Sequence, residues 1–379
     1  MSQNPLEQKL SEAVAPARTP QAFRIGPTRK WERPTVFVLP ANRRGPLPEG
    51  LGVEFDRGGQ AVIDELEKQG FAVEFFDVNG RPWNPMAGQP SMLKAIDPLR
   101  ALNVLLHWPR PAVVLSYFES GALLLVLLQR LFFFRSPIVI VDIGIGSGSR
   151  LRDLFLRLII PRVAAIFTLG SEQVPHIQTR YKTNALVEFI PAHVDTEFYA
   201  PQNAWPAGDY ILAVGDDISR DYETLLEAIA GMDVKLVLKT RRDVKNAKLH
   251  PNLSIVSTRL PDRELRGLYD SAKLVVMPLH PTLTAGGVTA FLEAMAMGKA
   301  QIVSQSAGLR DYIRPGENCL SVPCGDAGAL REKIICLLED DALRDQLGKS
   351  ARLCAQSQFS SSKFASQLAE CFHKLMRPS

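Results

Sequence analysis

A glycine-rich turn followed by a single acid is the pattern in this sequence with the clearest chemical meaning. The apolar run 273–278 predicts a strand, and Gly286 and Gly287 then open a predicted helix that carries Glu293. Glycines allow a backbone to approach a ligand closely, and the amino end of a helix presents N–H groups and a positive dipole to an anion. An acid about one turn into the helix can accept the two hydroxyl groups of a ribose. The pattern therefore predicts a site for a nucleoside diphosphate.

Five segments in a fixed order extend this pattern over residues 209–341. They are the strand and helix at 211–228, the helix at 263–269, the block ending at Glu293, the segment 310–320 and the helix at 327–339. Together they closely resemble the donor-binding half of family 4 (group 1) glycosyltransferases, which have the GT-B fold. The resemblance implies a retaining glycosyltransferase of the hexosyltransferase class that uses a UDP- or GDP-linked sugar and needs neither metal nor cofactor.

The resemblance also implies roles for individual residues. Glu293 would bind the ribose, and residues 258–261, with Arg259 among them, would lie over the base. Two cations and a row of glycines and N–H groups would hold the diphosphate and stabilise the charge on the departing group: Arg220, Lys239, Gly286, Gly287, Val288 and Thr289.

Two positions depart from the family pattern. The family usually has a second acid eight residues before Glu293, where this chain has Ala285. It also tends to have a basic residue after the first glycine of the domain, where this chain has Asp216. Hexose recognition must then differ from the usual one, and the diphosphate would depend on Arg220 and Lys239. A pseudoenzyme that binds a nucleotide sugar without turning it over is an alternative.

The first half of the chain supplies candidates for the acceptor side and for catalysis. Gly58 and Gly59 lie at the start of a predicted helix. The resemblance implies that this turn approaches the transferred sugar or the donor phosphate, and a tight turn with positive φ is the alternative reading. Glu119 follows a predicted strand and opens an apolar helix, so it is either a catalytic or acceptor-binding group or a charge that stabilises the helix dipole. Asp142 ends the next strand and is the second catalytic candidate.

The segment that begins at Asp142 also permits a different function. An acid at the end of a strand, followed by glycines at 144, 146 and 148, fits the first motif of S-adenosylmethionine-dependent methyltransferases. That motif normally opens its sheet, whereas at least three strands are predicted before it here. The next strand also ends at 167–170 without the acid that would bind the ribose. We therefore keep a methyltransferase as the alternative function.

Strands that alternate with helices predict a helix-covered parallel sheet in each half of the chain. We expect a GT-B arrangement of two Rossmann-like domains that face each other across a cleft. The predicted parts are a mobile tail at 1–32, an acceptor-side domain at 33–200, a nucleotide-sugar domain at 201–358 and a helix at 359–379 that crosses back to the first domain.

Composition limits the partners and the compartment. The net charge of +4 is small and dispersed, which argues against nucleic acid. The five cysteines form no CxxC pair and no signal peptide is evident, so we expect reduced thiols in a cytoplasm. No histidine cluster or Asp-x-Asp motif predicts a metal, and His193 is expected to be structural.

Two apolar segments leave the nature of the acceptor open. The run 122–134 is interrupted by Gln129 and Arg130, so a buried helix is favoured over a membrane span. The helix at 150–161 combines leucines with Arg150, Arg152 and Arg157; it either packs on the sheet or lies on an anionic membrane at the inner face. The acceptor is therefore expected to be a lipid or a growing saccharide, with peripheral membrane contact as one of the two readings.

Overall fold

The computed structural model describes seven stretches of the chain: residues 33–39, 57–75, 98–142, 150–202, 208–247, 250–258 and 260–377. Three parts of the sequence with predicted roles lie outside them. These are the N-terminal tail, the glycine loop after Asp142 and Arg259.

The N-terminal half forms a six-stranded parallel sheet of order β2-β1-β3-β4-β5-β6. Its strands are β1 (Thr35–Leu39), β2 (Ala72–Phe75), β3 (Val113–Tyr117), β4 (Ile138–Val141), β5 (Ala165–Thr168) and β6 (Leu186–Phe189). Most of these segments are continuous apolar runs, as expected for strands covered by helices on both faces.

Among the described residues, five helices that connect these strands pack on the sheet. They are α1 (Arg57–Lys68), α2 (Pro98–Leu106), α3 (Glu119–Leu128), α4 (Arg150–Ile159) and α5 (Gln173–Tyr181). Helix α3 is apolar almost all round, and it packs between α2 and α4 against strands β3 and β4. Each helix follows the carboxyl end of a strand, so the loops before the helices lie at one edge of the sheet and the loops after them at the other.

The C-terminal half repeats the design, with the strand order β12-β11-β10-β7-β8-β9. Its strands are β7 (Tyr210–Val214), β8 (Lys235–Lys239), β9 (Leu253–Val256), β10 (Leu274–Met277), β11 (Gln301–Ser304) and β12 (Leu320–Val322). Its helices are α6 (Tyr222–Ile229), α7 (Asp262–Ser271), α8 (Val288–Ala296), α9 (Ala327–Glu339) and α10 (Asp341–Gln358). Aspartates at the amino ends of α6, α9 and α10 accept N–H groups of the first turn, which fixes where these helices begin.

The last helix, α11 (Ser361–Met376), returns to the N-terminal domain. Its stripe of Phe364, Leu368 and Phe372 is buried in one cluster with strands β1, β3 and β4 and with α1. The side chain of Ser360 caps its amino end. The predicted crossover is therefore found, whereas the domain boundaries given above stay predictions.

The two domains meet through the carboxyl ends of their strands. Tyr312 donates its hydroxyl to the carbonyl of Leu169, 2.6 Å away, and accepts the N–H of Ala192 at 2.8 Å. Asp311 accepts both the N–H and the hydroxyl of Ser171. The cleft between the domains is therefore bounded by the two edges where α/β folds bind ligands.

One sequence expectation is wrong in its extent. The apolar run 122–134 is buried only in part, because α3 ends at Leu128 and the chain then turns. Leu131 and Phe133 are 70% and 83% exposed. No helix among the described residues is long and apolar enough to cross a membrane. The five cysteines are all free, and Cys319, Cys354 and Cys371 are buried.

Candidate functional site

The glycine turn before α8 packs directly on the loop that follows β7. A Cβ atom at position 286 would collide with the hydroxyl of Ser219, so only glycine fits there. Gly287 caps α8 with φ of 86°, a left-handed conformation that glycine adopts without strain. Two loops from neighbouring strands, β7 and β10, are thereby held in contact at the carboxyl edge of the C-terminal sheet.

Arg220 joins these two loops from inside. Its guanidinium lies against Gly215 on one side and Gly287 on the other; its Nη1 would be 3.0 Å from a Cβ at position 287. The side chain is 3% exposed, and its Nε donates to Asp217 at 2.9 Å. The structure thus brings a buried, fixed positive charge to the amino end of α8, where a helix already favours an anion.

The acid in place of the family's usual base is neutralised. Asp216 accepts the backbone N–H of Arg241 at 2.7 Å and its Nε at 2.6 Å. Burial opposes ionisation of Asp216, but these hydrogen bonds and the charge of Arg241 outweigh it, and its pKa is lowered. The departure at this position therefore adds no unpaired negative charge to the site.

Lys239 stands one strand away from Arg220. It ends β8 opposite Val214, and its carbonyl accepts the N–H of Gly215 at 3.1 Å. The side chain is 8% exposed, and burial lowers its pKa, against the nearby charge of Asp216 that raises it. A second cation is therefore close to the same loop, although it is largely enclosed.

One predicted N–H donor is already used. The N–H of Val288 donates to the carbonyl of Ala285 at 3.1 Å, because the chain makes a tight turn into the helix. Gly286 likewise donates to Thr284 at 2.7 Å. Among the described residues no acceptor is found for the N–H of Gly287, and Thr289 is exposed at the start of the same helix. The N–H groups of these two residues are therefore better candidates for binding a diphosphate than that of Val288.

Glu293 lies deeper than its predicted role suggests. It is 8% exposed, and its Oε2 accepts the hydroxyl of Tyr269 at 2.9 Å. Tyr199, which precedes the C-terminal domain, also acts on the pKa of this carboxyl group. Burial raises the pKa of Glu293 to about 7, Tyr269 and Tyr199 lower it by hydrogen bonding, and the charge of Asp262 raises it. The carboxyl group is held in a fixed position and is poised to change its charge near neutral pH.

The candidates of the N-terminal domain lie at neighbouring strand ends. Asp142 follows β4, and Glu119 begins α3 just after β3; Tyr117 and Val141 are register partners. Phe118 and Asp142 both have positive φ, 65° and 59°, which is rare for residues other than glycine. The side chain of Glu119 lies outside the part of the chain that the structure describes. Burial raises the pKa of Tyr312, and the charges of Asp311 and then Asp142 raise it further.

The remaining candidates are placed more simply. Gly58 and Gly59 are the second and third residues of α1 and are helical, so the alternative reading of a positive-φ turn is wrong. His193 contacts Ser361 through Nδ1 at 3.1 Å and packs on Phe364, as expected for a structural residue. Within the described stretches no group of three or more His, Cys, Asp or Glu could hold a metal ion.

The sequence did not reveal the partners that fix these groups. Tyr199 stands in a linker, and Asp217 and Arg241 belong to loops without a recognisable motif. Tyr269 lies inside one of the matched segments, but nothing in its spacing indicates a contact with Glu293. These contacts join elements that are distant along the chain, so pattern alone gives no signal for them.

Comparison with known proteins finds a family likeness in the C-terminal half of the chain. Residues 209–353 match the family model described as glycosyl transferases group 1. Phosphatidyl-myo-inositol mannosyltransferase of Mycobacterium leprae is 29% identical over 199 residues, which are 47% of this chain and 52% of that protein. The chain thus spans about half the length of the curated relative it matches.

Solved structures extend the likeness to both domains. Sucrose-phosphate synthase from Thermosynechococcus elongatus superposes with a TM-score of 0.72 at 18% identity, covering 91% of this chain and 99% of that one. Anabaena Alr3699/HepE in complex with UDP-glucose gives 0.64 at 15% identity, covering 90% and 99%. The expected two-domain GT-B fold is confirmed. Within this fold, the C-terminal domain is similar over residues 209–353 to the glycosyl transferases group 1 family.

Proposed function

We propose that the protein transfers a glycosyl unit from a UDP- or GDP-linked sugar to a lipid or a growing saccharide, with retention of configuration and without a metal. The observation that carries the proposal is the position of Arg220, buried between Gly215 and Gly287 at the amino end of α8. A fixed cation and a helix amino end aimed at one place suit a diphosphate that gains negative charge as it departs.

Two relatives support the choice of substrates. One of the similar solved structures contains UDP-glucose, and the mycobacterial relative is named for transfer of mannose to a phosphatidylinositol. In this proposal Arg220 and the Gly287 N–H hold the diphosphate, and Glu293 binds the ribose. Asp142 and Glu119 act on the acceptor side of the cleft.

A nucleotide-binding pseudoenzyme remains the second candidate, because one specific observation favours it. The side chain of Ala285 has no group that could hold a sugar hydroxyl, and the hydroxyls of nearby Thr282 and Thr284 bond to each other at 2.8 Å. The methyltransferase reading is disfavoured because Asp142 follows the fourth of the described strands, inside a sheet of the two-domain GT-B fold.

The decisive experiment combines binding with turnover. UDP and GDP are titrated by calorimetry, and UDP- and GDP-hexoses are then incubated with lipid and oligosaccharide acceptors. We expect Glu293→Ala to weaken nucleotide binding by about 10- to 100-fold, the effect of an unpaired polar group. Glu332→Ala, an exposed acid of α9, is the matched control and should change nothing.

Each outcome points to one reading. Nucleotide binding without release of any sugar would establish the pseudoenzyme. Saturable binding of S-adenosylmethionine, lost in Gly146→Val, would replace the proposal by the methyltransferase. Equal affinity of the wild-type protein and the Glu293→Ala variant for both nucleotides would remove Glu293 from the site.

A further inference from the structure

The amino edge of the N-terminal sheet combines exposed apolar side chains with arginines. Leu106 and Trp108 precede β3 and are 67% and 76% exposed, and Leu131 and Phe133 precede β4. Arg130 and Arg135 before β4, and Arg162 before β5, are exposed as well. We call these seven residues the basic apolar edge.

Three contacts show that the connections adjoin one another. The hydroxyl of Ser136 donates to the carbonyl of Pro111 at 2.7 Å, and Gln129 donates to the carbonyl of Arg162 at 3.2 Å. The guanidinium of Arg110 lies 5.1 Å from the ring centre of Phe134. The apolar and basic groups therefore form one surface, built by the chain segments before β3, β4 and β5.

Phe133 is unfavourable for folding in two respects. Its φ of 49° is left-handed. Phe133 lies in the turn that ends α3, where the N–H of Phe134 donates to the carbonyl of Gln129. The left-handed residue of such a turn is usually glycine. Its ring also stays 83% exposed to water. Since neither the backbone nor the core gains from an aromatic residue here, a role outside folding accounts for it.

The charges on this surface have one sign. The three connections, residues 106–112, 129–137 and 160–164, contain four arginines and no aspartate or glutamate. Positive charges around exposed tryptophan, phenylalanine and leucine match an anionic bilayer, whose interface accepts aromatic rings and whose surface attracts arginine. A protein partner of ordinary composition would not require a surface of one sign.

We propose that the basic apolar edge binds an anionic membrane and holds the cleft away from the lipid. The strands of this sheet have four or five residues, at about 3.3 Å each, so the carboxyl edge lies about 15 Å from the basic apolar edge. This part rests on the proposed function: the acceptor is a lipid-linked saccharide long enough to reach the cleft, rather than a headgroup at the bilayer surface.

The placement differs from the surface that the sequence indicated. On α4, Arg157 is paired with Asp153 at 3.0 Å, and Leu156 and Ile159 are buried. Leu154 and Leu158 are exposed, but they stand beside that ion pair. The strongest apolar exposure is found in the turns at the sheet edge and not along the helix.

Sedimentation with vesicles tests the binding on the full chain. We expect the protein to bind vesicles of phosphatidylcholine and phosphatidylglycerol, to bind pure phosphatidylcholine more weakly, and to dissociate as salt rises. Phe133→Gly should weaken binding at least about tenfold through lost apolar burial. Since glycine accepts positive φ, its melting temperature should not fall, so misfolding cannot explain the loss.

Charge reversal and a matched control complete the series. Arg130→Glu with Arg135→Glu should weaken binding by at least about tenfold, as expected from about fivefold for each charge lost. Leu353→Ser removes an exposed leucine of the C-terminal domain, 66% exposed, and should have no effect. No binding to anionic vesicles, or equal losses in Leu353→Ser and Phe133→Gly, would overturn the proposal. A concentration-dependent dimer abolished by Phe133→Gly, without vesicle binding, would assign the surface to a second copy of the chain.

Fluorescence quenching by brominated lipids tests the orientation. A chain with Trp31, Trp83 and Trp205 changed to Phe keeps Trp108 as its single tryptophan, and we expect strong quenching. In the same background, Trp108→Phe with Phe118→Trp moves the reporter to the carboxyl edge, and we expect none. Quenching at both positions, or at 118 alone, would overturn the orientation. Neither assay requires turnover, and the proposed function is tested separately by nucleotide binding. A failure of the membrane assays can therefore be distinguished from a failure of the proposed function.

Discussion

The two domains share an architecture but organise the facing edges of their sheets differently. At the carboxyl edge of the C-terminal sheet, the charged groups have partners on neighbouring elements: Arg220 with Asp217, Asp216 with Arg241 and Glu293 with Tyr269. At the matching edge of the N-terminal sheet, the distinguishing feature is the backbone, since Phe118 and Asp142 adopt positive φ. The first edge is preorganised for a charged ligand.

This difference suggests a division of labour across the cleft. Preorganised charges favour tight binding of a nucleotide diphosphate, because no reorganisation is needed when the ligand arrives. Strained residues at strand ends are typical of positions selected for function rather than for stability. Changes in the C-terminal domain should therefore alter donor binding, and changes in the N-terminal domain should alter transfer alone.

The largest expected effect is that of Arg220→Ala. The variant loses the buried cation between the two loops, and kcat/KM for transfer should fall about 100- to 1000-fold, with weaker UDP binding. Lys349→Ala is the control, since Lys349 is an exposed cation of α10 and is not part of the glycine turn. Calorimetry and initial rates measure both. An Arg220→Ala variant with wild-type affinity for UDP would end the claim of preorganisation.

The second prediction concerns the pH dependence of stability. The pKa of Glu293 is about 7 in the folded protein against 4.5 ordinarily, so the folded state binds more protons between these values. Its contribution to stability should therefore fall as pH rises from about 4.5 through 7, by on the order of 3 kcal/mol in total. Glu293→Gln stays neutral and should lack this dependence. Urea unfolding of both proteins at several pH values gives the difference; a constant difference contradicts the prediction.

The third prediction tests the N-terminal side of the cleft. Asp142→Asn keeps the size of the side chain, and asparagine tolerates positive φ, so the fold should persist. Loss of the ionisable carboxyl should lower kcat about 100-fold and leave the affinity for UDP unchanged. Steady-state rates and calorimetry separate the two quantities. Weaker UDP binding in this variant would show that the division between the domains is wrong.

The smallest effect comes from a pair of glycines. Gly287→Ala and Gly231→Ala both place a side chain at positive φ, 86° and 74°, and each should lower the free energy of unfolding by about 1 kcal/mol. Only position 287 meets Arg220 and Met277, whereas nothing lies within 4 Å at position 231. UDP affinity should thus fall in the first variant alone. Equal affinities in both would separate the glycine turn from the donor site.

Much of the fold could be predicted from the sequence, because buried apolar residues recur with the period of a helix or a strand. The strand predicted at 273–278 is found at Leu274–Met277, and the helix from 327 to 339 lies where the pattern predicts it. The crossover helix predicted at 359–379 is found at Ser361–Met376. Asp326 and Ser360, which cap two of these helices, are polar residues of the types that begin helices. Local preferences and tertiary packing agree in these segments.

The site was predictable only as a set of candidates. The glycine turn and Arg220 were found because ligand chemistry requires those residue types at that spacing. The use of the Val288 N–H by Ala285, and the burial of Glu293 under two tyrosines, depend on how loops meet in space. No one-dimensional pattern records such contacts.

The sequence by itself determined the alternation of strands and helices, the doubled sheet and the turn that marks the donor side, because each depends on neighbours within a few residues. Tertiary structure alone decided which charges are paired and which apolar side chains face water. Leu131 and Phe133 belong to the same apolar run as buried Leu125, and only the end of α3 at Leu128 separates their environments. The physical reason is that exposure depends on what packs against a residue from distant parts of the chain.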